Sequence, residues 1–421
     1  MHTHSPGLNL ELTGNNRPSV LTRRAFLGGA LLSAAAAPLV SIRARGADPA
    51  GNTPGRKIKL GLIGCGGRGG WIAGLFQRHG GYTLHAVADY FQAVADQCGD
   101  RLGVDKARRF STLSGYKRLL ESGVEAVALE TPPFFFPEHA RAAVEAGLHV
   151  YSAKPVAVDV PGARQILAAG QEAARRQRCY LVDYQMPTDP VNQEVLRRLH
   201  APGFGQIAQV ATVGICGGFA DPPRAATLEN RLRGLIWVND IAMGCDYLGN
   251  YDIHALDAAL WALGRRPMAA LGSSRVCRPN PHGDSHDVCS LVFTYADGLV
   301  HNHFGQGLGN QTQGELSCRI HGQTGNALLN YWGKAEARTF DDAHSGQVEN
   351  LYEAGAVRNI ATFYRHVTEG RWANETVNRA VDGVFTVVLG REAAARQARL
   401  TMAAVLEENR RLEVDLSGLK T

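Results

Sequence analysis

Residues 57–71, KIKLGLIGCGGRGGW, constrain the fold more than any other stretch of the chain. An apolar run containing Ile58, Leu60, Leu62 and Ile63 leads directly into Gly64-Cys65-Gly66-Gly67-Arg68-Gly69. This is G-x-G-x-x-G placed where a strand ends and a helix starts. Gly64 allows the tight turn, Gly66 lets backbone approach a pyrophosphate with no Cβ in the way, and Gly69 lets helix and strand pack closely. The helix N-terminus adds unpaired N–H groups and a partial positive charge. A second strand, residues 82–88, runs into Asp89, where a carboxylate can accept from a ribose 2′-OH and would repel a 2′-phosphate. The expected ligand is therefore a dinucleotide, NAD in preference to NADP.

The pattern that follows supports a doubly wound sheet. Strands are expected at 60–64, 82–88, near 109, at 126–130 and at 149–152, with helices between them. Such alternation predicts an α/β Rossmann domain with its ligand at the carboxyl ends of parallel strands. We place that domain at 57–178. From 179 to 421 β-like runs dominate (207–214, 268–275, 288–295, 299–305 and 316–321), followed by helices at 350–369, 375–397 and 402–408. This predicts a second, α+β domain built on an open, mostly antiparallel sheet, with the closing helices packed back on the first domain. The turn Tyr295-Ala296-Asp297-Gly298 marks a hairpin.

The chain has 421 residues, 45% of them hydrophobic and 20% charged, which suits two globular domains. Its formal charge is +5, but residues 1–47 hold five Arg and one Glu, so the rest of the chain carries a balance of only +1. No basic patch with interleaved aromatics occurs, so nucleic acid is not an expected partner. The early charge has another reading. Thr22-Arg23-Arg24-Ala25-Phe26-Leu27 precedes the apolar run 28–40, as in a twin-arginine export signal. That run is too short and too rich in Ala and Gly for a stable membrane span. We expect 1–47 to be the signal, 48–56 a linker, and the mature protein to be periplasmic or otherwise exported by the twin-arginine machinery. Eight cysteines occur, none as C-x-x-C, so neither a zinc nor a redox motif is signalled.

Three segments join the nucleotide site. Thr131-Pro132 ends the strand at 126–130 and turns the backbone past the cofactor, and His139 follows on a helix that can face the same crevice. Lys154, in Ala153-Lys154-Pro155, stands at a strand's carboxyl end, where its ammonium can bond a substrate hydroxyl or relay its proton. In Asn250-Tyr251-Asp252-Ile253-His254-Ala255-Leu256-Asp257, His254, Asp257 and Trp261 share one helix face, and His254 can act as general base. Tyr184, Trp237, Asn250, Tyr251 and Asp257 are candidate substrate contacts, with Asp240 and Trp332 as further candidates for a sugar site. His301 and His303 share a strand face, but their spacing with His282 and His286 is not that of a metal site, and no metal is expected.

These pieces together resemble the glucose–fructose oxidoreductase, inositol dehydrogenase and MocA family. The similar segments are GLIGCGGRG, the acidic end of strand two, TPPFFFPEHARAAVEAGLHV, AKP where the family usually has EKP, IHALDAALWALG, and the tail from Asn359. The resemblance implies hydride transfer between a sugar, polyol or related carbinol and a nicotinamide dinucleotide, with Lys154 and His254 in the catalytic lysine and histidine positions. It also implies a homo-oligomer formed through the open sheet. Ala153 stands where a glutamate is usual, and Asn250 where an acid is common. With an export signal, a tightly held cofactor is expected, because free NAD is scarce outside the cytoplasm. The alternatives are glycoside cleavage through transient oxidation and elimination, and a non-catalytic dinucleotide-binding scaffold.

Overall fold

The structure is a computed structural model and describes residues 55–219, 221, 227–233, 236–372 and 375–421. The expected export signal and most of the expected linker lie outside the described residues.

Six strands form a parallel sheet: β1 (Ile58–Ile63), β2 (Tyr82–Asp89), β3 (Arg109–Ser111), β4 (Ala126–Leu129), β5 (His149–Ser152) and β6 (Tyr180–Val182). Their order is β3-β2-β1-β4-β5-β6. The chain reverses its direction of growth between β1 and β4, which opens a crevice at their carboxyl ends. β4 (AVAL) is a continuous apolar run and β1 is interrupted only by exposed Lys59, because both faces of the sheet are covered. Helices α1 (Gly67–His79), α2 (Gln92–Leu102), α3 (Gly115–Leu120), α4 (Phe136–Glu145) and α5 (Val160–Arg175) cover those faces. Gly80 closes α1 at φ 79°, a left-handed cap that glycine adopts without strain. Asp159 starts α5 by accepting from Gly162 N.

β6 corrects the expected domain boundary. Tyr180–Val182 pairs in parallel with β5, so the break falls after this strand and not at residue 178. A three-residue strand carries too little periodicity to be assigned to one sheet or the other from sequence.

After helix α6 (Pro190–Leu199) comes a nine-stranded sheet of β7 (Ile207–Cys216), β8 (Ala269–Arg275), β9 (Val288–Thr294), β10 (Val300–Gly307), β11 (Glu315–Gly322), β12 (Gly325–Asn330), β13 (Gly333–Thr339), β14 (Ala343–Val348) and β15 (Leu400–Thr401). The order is β14-β13-β12-β11-β7-β10-β9-β8-β15. Only β7 and β10 pair in parallel. One face is buried under α7 (Ile253–Leu263) and α9 (Glu375–Arg396). α9 also packs on α5, so one core runs from Val150 and Ile166 through Leu256 and Val384 to Phe293. α8 (Leu351–Glu369) returns to the first domain and sets Ala356, Ile360 and Phe363 against Leu60, Phe76 and Tyr151. A last helix, α10 (Met402–Glu408), closes the fold. Among the described residues, no helix is long and apolar enough to cross a membrane.

Candidate active site

The glycine turn between β1 and α1 is shaped for close approach. Gly64 has φ +97°, and a Cβ there would lie 2.6 Å from the Glu130 carbonyl carbon. A Cβ on Gly69 would lie 1.8 Å from Gly64 O. At Gly66 and Gly67 a Cβ would meet nothing within 4 Å. The first pair of glycines is therefore required by the protein itself, while the second pair keeps open the space in front of the helix. No side chain caps the start of α1, and its first turn contains no acidic residue. Those N–H groups and the helix dipole fit an anionic pyrophosphate.

Asp89 ends β2 beside this turn. Its carboxylate accepts from Cys65 N at 2.8 Å and from Phe91 N at 3.0 Å, and burial raises its pKa. It is held rigidly where an adenosine ribose would meet it, which suits a 2′-hydroxyl and opposes a 2′-phosphate. Thr131 and Pro132 follow β4, as expected. His139 is buried rather than opened to the crevice: it lies between Tyr116 and Phe135, with Nδ1 3.4 Å from Thr131 Oγ1. Burial pushes it down to about 4, so it is neutral at physiological pH.

The floor of the crevice is charged. Arg68, Glu130, Lys154 and Asp183 come respectively from just beyond the carboxyl ends of β1, β4, β5 and β6. The Arg68 guanidinium reaches across this floor to both acids. Its Nε lies 3.2 Å from Glu130 Oε2, and a terminal nitrogen donates to Asp183 Oδ2 at 2.5 Å. It also donates to Tyr352 Oη at 2.9 Å and sits over the stacked rings of Trp71 and Tyr352. Asp183 accepts a further bond from Asn359 Nδ2 at 2.8 Å. Glu130 is buried, and its Oε1 has no hydrogen-bond partner among the described residues. Burial raises its carboxyl to about 7, with Arg68 opposing that rise. Sequence reasoning found Arg68 and placed Glu130 in the segment that turns past the cofactor without giving it a role, and it missed Asp183 and Asn359. For Asp183 the available signal was the one that found Asp89, an acid directly after an apolar strand; Asn359, inside a helix, offers none.

Lys154 follows β5, and the Lys154–Pro155 peptide bond is cis. Its Nζ donates to the main-chain carbonyl of Asn250 at 2.5 Å. Burial, then the positive Arg68, lowers its pKa to about 7, while Asp183 and Glu130 work the other way. Asn250 lies in a π-helical turn, Leu248–Asp252, that feeds directly into α7 and His254. His254 is buried, with Nδ1 unpartnered among the described residues. Its ring meets Tyr331 edge-on at 5.1 Å and Tyr184 at 6.1 Å. Burial and the charges of Lys154 and Arg68 hold it well below the usual histidine range, hence neutral.

The candidate substrate residues divide. Tyr184 is buried beside His254, and its hydroxyl has no partner among the described residues. Tyr251 stacks on Tyr247 and donates to Ile215 O at 3.2 Å. Asn250 offers its carbonyl to Lys154. Asp257 is committed elsewhere, accepting from Arg379 Nε at 2.7 Å. Trp237 packs against Gly244, Asp240 caps the short helix that follows it, and Trp332 meets the Tyr331 ring.

His301 and His303 lie inside a polar chain. Tyr295 Oη, His301, Thr212 and His303 are linked in sequence at 3.4, 2.7 and 2.9 Å, and His303 Nε2 faces Asp252 Oδ2 at 2.9 Å. Asp252, His303 and Cys289 bring their polar atoms within 4.8 Å of one another. The Asp252–His303 and His303–Thr212 hydrogen bonds engage both ring nitrogens of His303.

Residues 58–184 match an oxidoreductase family with an NAD-binding Rossmann fold, GFO_IDH_MocA. The match spans the whole six-stranded sheet, which is an NAD-binding domain of oxidoreductase type. No curated protein sequence matches the chain. Solved structures share the complete architecture. An aldose–aldose oxidoreductase from Caulobacter crescentus, complexed with glycerol, superposes with a TM-score of 0.66 at 17% identity, covering 82% of this chain and all of the other. A levoglucosan dehydrogenase complexed with NADH gives 0.68 at 16% identity, over 82% and 99%. An inositol dehydrogenase homologue from Azotobacter vinelandii, complexed with NAD+, gives 0.68 at 19%, over 82% and 98%.

Proposed function

We propose that this chain is an exported NAD-dependent oxidoreductase that moves a hydride between a carbinol carbon of a sugar, polyol or sugar derivative and the nicotinamide ring. The observation that carries this reading is the bond from Lys154 to the Asn250 carbonyl, which ties the lysine to the turn leading into neutral His254. Gly64 to Gly69 and the start of α1 would hold the pyrophosphate, and Asp89 the adenosine ribose. The bound ring supplies the hydride acceptor. Lys154 bonds and orients the hydroxyl and stabilises its developing negative charge. With a pKa near 7 it can pass a proton either way, and His254, buried and neutral with Nδ1 unpartnered among the described residues, can accept a hydrogen bond from the same hydroxyl. The carbohydrate substrates of the solved neighbours suit a crevice of this kind.

Export rests on Arg23-Arg24-Ala25-Phe26-Leu27 and the apolar run after it. A cofactor acquired before export would have to be retained, which favours tight binding and redox-neutral cycling between carbohydrates. Leu271, Val300 and Phe304 stand exposed on β8 and β10, a surface suited to pairing two copies through the open sheet.

The test is to purify the mature protein with no added nucleotide, denature it and identify released dinucleotide by mass spectrometry. Stoichiometric NAD is expected. An empty protein that also fails to bind added NAD would overturn the reading.

A further inference from the structure

We propose that Glu130 is the second holder of the Lys154 proton, so that the lysine and this carboxylate act as one proton-sharing pair beneath the substrate. The proposal rests on the functional reading above and names the group that accepts the proton after Lys154.

β4 and β5 are neighbours, with Leu129 opposite Ser152, and Ala153 N donates to Leu129 O at 3.1 Å. Glu130 and Lys154 therefore leave adjacent strand ends on the same edge of the sheet. Neither immediate neighbour of Lys154 can take its proton: Ala153 has no functional group, and the Asn250 carbonyl is a main-chain acceptor. Two carboxylates act on Lys154 electrostatically, Asp183 and Glu130. Asp183 already has both oxygens engaged, one by Arg68 and one by Asn359. Glu130 has only one oxygen facing Arg68, and its other is buried and unpartnered among the described residues. Of the two carboxylates, only Glu130 therefore keeps a buried oxygen free to take a proton. The groups facing this pair are Arg68 from α1, Tyr151 from β5, Asp183 after β6 and His254 from α7.

In the oxidation direction the substrate O–H bond breaks and its proton joins the neutral Lys154 amine. The C–H bond breaks and its electron pair leaves with the hydride to the oxidised nicotinamide. Lys154 Nζ is bonded to the Asn250 carbonyl and not to Glu130, so the new ammonium passes one proton to the Glu130 carboxylate through an intervening water, leaving a neutral amine and a carboxylic acid. Reduction runs the same steps backwards. Glu130 touches neither substrate nor cofactor in this scheme; it acts through Lys154.

The experiment compares wild type with Glu130→Gln, both loaded with NAD, and follows the pH dependence of Lys154 acetylation by peptide mass spectrometry. Loss of the carboxylate should move the Lys154 midpoint down by about one pH unit. Glu130→Asp should restore much of the difference. With a substrate in hand, kcat at neutral pH should fall at least about tenfold in Glu130→Gln while KM changes little. An unchanged Lys154 midpoint would overturn the proposal. Should Glu130→Gln fail to fold, Lys154→Met with carboxyl-¹³C glutamate gives the reciprocal measurement: the Glu130 midpoint should rise by about as much, since the coupling is shared by both groups. An unchanged Glu130 midpoint would also overturn it. Absence of hydride transfer in wild type would instead defeat the functional reading, and the labelling would still decide the pair.

Discussion

Lys154 donates to the main-chain carbonyl of Asn250 at 2.5 Å. This one bond ties the end of β5 in the nucleotide domain to the π-helical turn that positions His254 in the second domain. The two groups that handle the substrate proton are thus fixed relative to each other by backbone geometry, and the Asn250 side chain takes no part in the bond.

The pH dependence follows from Lys154. Its pKa in the folded protein is about 7, below the ordinary lysine value of 10.5, because the site is buried and Arg68 is near. Alcohol oxidation needs the neutral amine, so kcat/KM should rise about tenfold per pH unit below 7 and level off above it. Carbonyl reduction needs the ammonium, so its rate should fall as pH rises through the same value. Lys154→Ala should lower kcat/KM by about 10²–10⁴-fold with NAD content unchanged. Steady-state pH profiles in both directions check this.

Two glycine substitutions should separate folding from cofactor binding. Gly69→Ala places a Cβ 1.8 Å from Gly64 O, against backbone that cannot swing aside, and should cost about 1–3 kcal/mol of stability. Gly66→Ala meets nothing within 4 Å, so apoprotein stability should change by less than about 0.5 kcal/mol. NAD affinity should nevertheless fall at least about tenfold, because the added methyl intrudes where pyrophosphate must approach. Denaturant melts and NAD titrations of both variants measure the two effects.

Asp89→Asn should relax cofactor choice. The amide oxygen can keep one of the bonds from Cys65 N and Phe91 N, but the negative charge is gone. NADP should gain at least about tenfold relative to NAD, because a repulsive element has been removed. Competition binding of the two dinucleotides reads the ratio directly.

The polar chain under the second sheet should be costly to break. Asp252 is wholly buried and is the acceptor for His303 Nε2 at 2.9 Å. Asp252→Ala orphans that N–H and opens space beside Gly214 and Gly305, and should cost about 3 kcal/mol. For a chain of this size that is roughly 3–4 °C in Tm. Asp252→Asn, which can still accept, should cost less. Thermal melts of the two variants provide the comparison.

The parts of the site legible in the sequence are those encoded over short distances. Gly64 to Gly69, Asp89, Lys154 and His254 each stand at the end of an element whose hydrophobic period is clear, so their place on the crevice follows from topology. Strands β7 to β11 could likewise be read from their apolar runs. β12, β13 and β14 (GNALLN, GKAEART, AHSGQV) could not, because they are short, polar and glycine-bearing, and pairing alone makes them strands. The parallel pairing of β7 with β10 joins segments far apart in the chain, which no local pattern announces. Asp257 shares a helix face with His254, yet Arg379, from a helix more than a hundred residues later, claims it. Glu130 and Asp183 gain their meaning only once Arg68 reaches across three strand ends to meet them.

The most direct test is a single-turnover measurement on NAD-loaded wild type and Lys154→Ala, mixed with a panel of aldoses, polyols and glycosides while the reduced nicotinamide is followed by its absorbance and fluorescence. The account predicts that at least one carbohydrate reduces the bound ring in wild type, and does so at least about a hundredfold more slowly in Lys154→Ala. Equal rates in the two proteins, or no reduction by any carbohydrate despite bound NAD, would contradict it.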